Sequence, residues 1–254
     1  MMFDRYPLSI DNRRNFPSDF TGLVFVWDID KTYLDTHFST FKGLLRIPLE
    51  FGIDKKAIDG MADILISLRR GAGSSPACHP LYFVSASPAQ LKPIIERKML
   101  FDGVEFDGFC FKNWLKVIAS GRLYQLKNQV GFKICALLSG RIERPHSREV
   151  IFGDNVEQDP QAFSLYSHLI NEPYHAARVE EILQEAQIPT FDRTCIHNLL
   201  EKLEGQKGAV ERIFIHMADK KVSQAEVCFF SELIVPVWDA ASLRGKLREF
   251  GYIL

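Results

Sequence analysis

Apolar residues along this chain fall into two kinds of run. Short unbroken blocks, such as Leu23-Val24-Phe25-Val26-Trp27, are what a strand buried on both faces leaves in a sequence. Longer stretches, in which apolar residues recur every three or four positions, mark helices with one buried side. The first block ends in Asp28-Ile29-Asp30-Lys31-Thr32, two carboxylates one residue apart followed by a hydroxyl. Side chains two apart on extended backbone point the same way, so both acids face one substrate if the extension persists past Trp27.

The same reading places the other elements. Residues 33–70 are mostly helical in pattern, with Ile58, Met61, Ala62, Leu65 and Leu68 at helical spacing. Gly71-Ala72-Gly73-Ser74-Ser75-Pro76 follows a helix and precedes a strand, the reverse of a phosphate-cradling loop, and reads as a connector. Residues 81–84 form the second strand, ending at Ser85. Ser87-Pro88-Ala89-Gln90 has the form of a capping box with proline at the first helical position, opening a helix toward Leu100. A short third strand is expected at 106–111, a helix at 132–138, and a fourth strand at 150–152 closed by Gly153-Asp154. Beyond it come a helix at 160–170, a helical pair at 174–186 and 195–203, strands at 212–216 and 233–238, and a closing helix at 243–250.

Composition narrows the setting. The chain has 254 residues, enough for one α/β domain over 1–254, in which 171–208 reads as a helical insertion. Its 31 basic and 32 acidic residues leave a formal charge of −1, so no global field favours nucleic acid. The five cysteines are scattered with no CxxC pair, which suits reduced thiols in a cytoplasmic protein. Neither a signal peptide nor a membrane span is evident.

Four signals, each adjoining an apolar run, then point to phosphoryl transfer. The first is Asp28 to Thr32. The second is Ser85, whose hydroxyl and the following amides, beginning with Ala86, can hold phosphoryl oxygens. The third is a lysine, because a phosphate beside two carboxylates needs positive charge nearby. Both Lys127 and Lys133 qualify, and Lys133 is preferred for its place at the start of Ile134-Cys135-Ala136-Leu137-Leu138. The fourth is Gly153-Asp154-Asn155-Val156-Glu157-Gln158-Asp159, a hard-oxygen donor set of the kind Mg²⁺ requires. Asp154 is the better ligand candidate there, while Asp159 precedes Pro160 and reads equally as a helix cap. The seven histidines show no metal-ligand spacing, and no serine-hydrolase elbow is present.

As a set, these motifs resemble the haloacid dehalogenase-like superfamily of aspartate-nucleophile phosphatases. More narrowly, the stretches 82–91 and 152–160 are similar to the catalytic domain of the actin-patch-protein type of Mg-dependent phosphatidate phosphatases. The resemblance implies a Rossmann-like parallel sheet of order 5-4-1-2-3 flanked by helices. It implies Asp28 as nucleophile and Asp30 as acid and base, with Thr32, Ser85, Ala86 and Lys133 holding the phosphoryl group. Mg²⁺ would be bound by Asp28, Asp30 through its backbone carbonyl, Asp154 and Asp159. The intervals from Asp28 to Ser85 and from Ser85 to Lys133 are too short for a large cap, so a bulky substrate, lipid or macromolecular, is expected. Lys31 and Asn155-Val156-Glu157 depart from the family pattern, and a phosphotransferase or a silent phosphate-binding module is the rival reading.

Overall fold

The computed structural model describes residues 6–35 and 57–254. These build a mixed α/β fold on one sheet whose strands are β1 (Leu8–Asn12), β2 (Leu23–Asp28), β3 (Leu81–Pro88), β4 (Gly108–Lys112), β5 (Arg148–Asp154), β6 (Ala209–His216) and β7 (Ile234–Val237). Their order is β1-β4-β3-β2-β5-β6-β7. All neighbours pair parallel except β1, which runs antiparallel to β4 along the sheet's edge. The helices are α1 (Met61–Arg70), α2 (Lys92–Phe101), α3 (Trp114–Ala119), α4 (Val130–Ile142), α5 (Asp159–Asn171), α6 (Ala176–Glu185), α7 (Thr190–Lys202), α8 (Gln224–Cys228) and α9 (Ala240–Glu249).

The unbroken apolar block is β2, the central strand, with every residue buried. Val24 and Val26 enter the layer made by α4 to α7, while Leu23, Phe25 and Trp27 enter the layer made by α1, α2 and α9. Alternation along the strand thus feeds two separate cores, and burial of both faces explains why no polar residue interrupts the run. Trp27, Phe152 and Phe214 are partners across β2, β5 and β6. Their rings stack with centroids 4.1 and 5.1 Å apart, an apolar row directly behind the acidic strand ends.

Three local expectations need correcting. The capping box at Ser87 does not form: β3 continues through Pro88, a 3-10 turn follows, and α2 begins at Lys92 with no side-chain cap. The Ser87 hydroxyl is instead bonded to Asp30, a charged acceptor that outcompetes a backbone amide. Among the described residues of 33–70, the helical reading holds for α1 and fails at 33–35 and 57–60. Leu34 makes isolated bridges to Asp30 and Ala57, Gly60 in the left-handed region delays the helix start to Met61, and 36–56 lie outside the described residues. Finally, β1 was not expected, since an edge strand with an intermediate-to-exposed pattern carries no apolar signature.

The pairing of α4 with β5 is fixed by a buried charge network. Arg141 donates through Nη2 to Glu149 Oε2 (2.7 Å) and through Nε to the Tyr166 hydroxyl (2.8 Å), which in turn donates to Glu149 Oε2 (2.5 Å). Arg144 adds a longer contact to Glu149 at 3.4 Å. All four side chains are buried, so each depends on the others for the hydration it has lost. Glu149→Leu alone is expected to destabilise the protein by about 3–5 kcal/mol, by stranding Arg141, and Arg141→Met with Glu149→Leu by clearly less. Urea unfolding of the single and double variants checks this, and equal losses would contradict it.

Candidate active site

The carboxyl ends of β2, β3 and β5 lie side by side and deliver three of the four sequence signals to one place. Asp28 ends β2, Ser85 stands near the end of β3, and Asp154 ends β5. The fourth arrives from α4, whose first turn places the Lys133 ammonium 2.8 Å from Asp28 Oδ1 and 2.9 Å from Glu157 Oε2. Asp159 Oδ1 also accepts from that ammonium. Lys133 is completely buried with its ammonium on Asp28, whereas Lys127 is exposed.

Asp159 joins this cluster of charges and does not cap the helix. It sits inside the first turn of α5, where Gln158 holds the cap position, and its Oδ2 accepts from the Asp154 amide at 3.3 Å. That carboxylate packs so closely on β5 that a Cβ on Gly153 would lie 2.4 Å from Asp159 Oδ2. The glycine of the motif is therefore a steric requirement. Asp154 Oδ1 accepts from the amides of Val156 and Glu157, at 2.6 and 2.9 Å, which folds the loop back toward Lys133. Asn155 turns the other way, exchanging hydrogen bonds with the Asp219 backbone at 2.7 and 2.9 Å.

Asp30 is held apart from this cluster by hydroxyls. Ser85 and Ser87 both donate to its Oδ2, at 3.0 and 2.7 Å, and Ser85 Oγ accepts from the Ser87 amide at 3.0 Å. Thr32 is buried with its hydroxyl unpartnered, and the Ala86 carbonyl accepts from Trp114 Nε1 at 3.0 Å. Lys31 occupies the left-handed region at φ 61°, pairs with Asp35 at 2.8 Å, and receives His216 Nδ1 on its carbonyl at 2.8 Å.

Electrostatically the cluster is overloaded with negative charge. Burial, followed by Asp159, Glu157 and Asp154, pushes the Asp28 carboxyl well above its ordinary range against the opposing pull of Lys133. Asp154 is raised for the same leading reason, then by Asp159. Burial pushes Asp159 up to about 6. Burial alone would discharge Lys133, yet Asp159, Asp28 and Glu157 raise it well above the usual lysine value. One oxygen of Asp28 and one of Asp154, both Oδ2, are buried with no partner. Oxygens of Asp28, Glu157 and Asp159 lie within 4.8 Å of one another, a spacing that could hold a cation.

Two residues here were not singled out from the sequence. Ser87 lies two positions past Ser85 on extended backbone, and that spacing signalled a shared direction which the capping pattern obscured. Glu157 lies inside the quoted acidic motif, two residues before Asp159, but nothing in spacing alone distinguishes a ligand from a solvated loop acid.

A model of the family described as phosphatidate phosphatase APP1, catalytic domain, matches residues 23–183, more than half of the chain. No curated protein and no solved structure matches it.

The raised carboxyls dictate a pH dependence. Between the ordinary carboxylate range and about pH 6 the folded cluster binds more protons than the unfolded chain, so its contribution to stability falls as pH rises through that window. His79, lowered by burial, pulls in the opposite sense but does so equally in any site variant. In EDTA the melting temperature from pH 5 to 7 should therefore fall further for the wild type than for Asp159→Asn, by roughly 2–5 °C. Identical slopes would contradict this account.

Proposed function

We propose, from the premise that the chain belongs to the family of the phosphatidate phosphatase APP1 catalytic domain, that it is a Mg²⁺-dependent phosphatidate phosphatase working through an aspartyl phosphate on Asp28. The observation that carries this reading is the buried Lys133 ammonium, 2.8 Å from an Asp28 whose second oxygen has no partner, at the end of the central strand. A haloacid dehalogenase-like assignment is supported by the inner parallel strands, which run β6-β5-β2-β3-β4 and so read 5-4-1-2-3 when counted from β2. In this reading residues 1–254 are one domain, with α6 and α7 inserted ahead of β6.

The residues suit Mg²⁺. The unpartnered oxygens of Asp28 and Asp154 are hard donors facing an excess of negative charge, and one or two carboxylates plus substrate and water suffice for this ion. Asp28 and Asp154 would hold it, with Asp159, Glu157 and the Asp30 carbonyl as further donors. Bound there, it would offset the charge that otherwise repels a phosphate from a carboxylate nucleophile.

The chain's own groups divide the rest of the chemistry. An Asp28 oxygen attacks phosphorus, the bond from phosphorus to the ester oxygen breaks, and Asp30 gives that oxygen its proton as diacylglycerol leaves. Water then attacks phosphorus and passes its proton to Asp30, and the bond to Asp28 breaks to release inorganic phosphate. Lys133, Ser85, the free hydroxyl of Thr32 and the Ala86 amide would hold the phosphoryl oxygens as charge redistributes. Ser85 and Ser87, both donating to Asp30 Oδ2, would keep that carboxyl aimed between the two steps.

Phosphate release from phosphatidate in detergent micelles tests the reading. Asp28→Asn should lower the rate by about 10³-fold or more, and EDTA should abolish it. An Asp28→Asn rate equal to the wild type's would sink the mechanism. Independently of turnover, Mg²⁺ should raise the melting temperature of the wild type and do so far less for Asp154→Asn.

A further inference from the structure

Residues 113–129 join β4 to α4 and contain α3 and a 3-10 turn at Leu123–Leu126. They leave the carboxyl end of a parallel strand, the end of the sheet that displays Asp28, Ser85 and Asp154. Bonds at both ends tie them to the site: Trp114 Nε1 donates to the Ala86 carbonyl at 3.0 Å, and the Gln129 amide reaches Gln158 Oε1 at 3.5 Å. From beneath, the buried Lys112 donates to the carbonyls of Gln125 and Asn128 at 2.7 and 2.9 Å. This is a braced ledge beside the phosphate site.

Its outer surface is apolar. Leu115 is 65% exposed and Leu123 58%, Ile118 and Tyr124 are each close to half exposed, and Val156 across the site is 51% exposed. Single exposed apolar residues are ordinary, but several together at the rim of one site mark an interaction surface. The charge around them is one-sided. From Asp107 to Glu143 the sequence has no acid, and although Lys112, Lys133 and Arg141 are buried, Lys116 and Lys127 are exposed and Arg122 partly so, in a chain whose overall charge is balanced. Apolar tips with basic neighbours are complementary to an anionic bilayer, where the tips enter the acyl boundary and the cations meet lipid phosphates. A protein partner, whose surface mixes both signs, would not call for so uniform a charge.

We propose that residues 113–129, with Val156, form a docking edge that seats the chain on an anionic membrane with the Asp28 site facing the lipid headgroups. The identity of the substrate rests on the phosphatidate reading above, while the docking itself requires only anionic lipid. A headgroup phosphate would then reach Asp28 without its acyl chains leaving the bilayer.

Cosedimentation of the full chain with vesicles tests this, using phosphatidylcholine alone and phosphatidylcholine with phosphatidylserine, which is anionic but offers no phosphomonoester. The wild type should pellet with the second and stay soluble with the first, and rising salt should release it. Leu115→Glu with Leu123→Glu should lower binding about tenfold or more, while keeping the melting temperature and the hydrolysis of a soluble aryl phosphate within about twofold of wild type, as expected for exposed positions. Indifference of the wild type to phosphatidylserine, or undiminished binding by the double variant, would overturn the docking edge. Binding without phosphatidate hydrolysis in vesicles or micelles would refute the substrate reading and leave the docking edge standing. Hydrolysis in micelles without vesicle binding would do the opposite.

Discussion

The buried ammonium of Lys133 is the interaction on which the rest of this architecture depends. A lone charge in an apolar interior is driven to neutralise, and here it remains charged because Asp28, Glu157 and Asp159 converge on it from separate elements. Each partner needs its own backbone to be in place. Asp28 requires the central strand, Asp159 requires the first turn of α5 packed against a glycine, and Glu157 requires the loop that Asp154 folds back. Because the carboxylates outnumber the ammonium, the cluster is poised to accept further positive charge and to resist a dianion until that charge arrives.

The helix that carries Lys133 is braced at both ends by groups outside the cluster. At its carboxyl end Arg141 joins Glu149 and Tyr166. At its amino end α7 comes so close that a Cβ on Gly131 would lie 2.6 Å from Asp192 Oδ2, and Asp192 accepts from Tyr6 at 2.8 Å and Gln125 at 3.3 Å. The helical pair α6 and α7 packs with α4 in the same core. It buttresses the helix bearing Lys133 from behind, so a substitution within that pair can reach the Asp28 cluster by shifting one helix.

The sequence was informative wherever chemistry followed a local pattern. The apolar block of β2, its terminal acids, and the glycine and acids closing β5 could be read because strand burial and motif spacing are local properties. Lys133 was favoured over Lys127 for its position before a helical run, but only three-dimensional packing separates a buried ammonium from an exposed one. Long-range partners left no trace in spacing: Arg141 with Glu149, and Lys112 with the carbonyls above it, are meetings the topology creates. Ser87 shows a local rule giving way to a tertiary one, since a serine before a proline promises a helix cap until a carboxylate is presented to its hydroxyl. Lys31, which departs from the family pattern, sits in the left-handed region with its ammonium paired to Asp35, so its side chain serves the turn that carries Thr32.

β6 lies beyond the matched stretch 23–183, yet pairs with β5 from Arg148 to Asp154 and, through His216, holds the Lys31 carbonyl. Trimming the chain to the recognisable stretch would leave the strand bearing Asp154 as a bare hydrogen-bonding edge and strip the cover from Phe152, the circumstances in which sheets aggregate. The matched stretch therefore contains the Asp28 cluster and falls short of the smallest piece able to fold around it. Expression boundaries drawn at its limits would yield insoluble protein rather than a minimal enzyme.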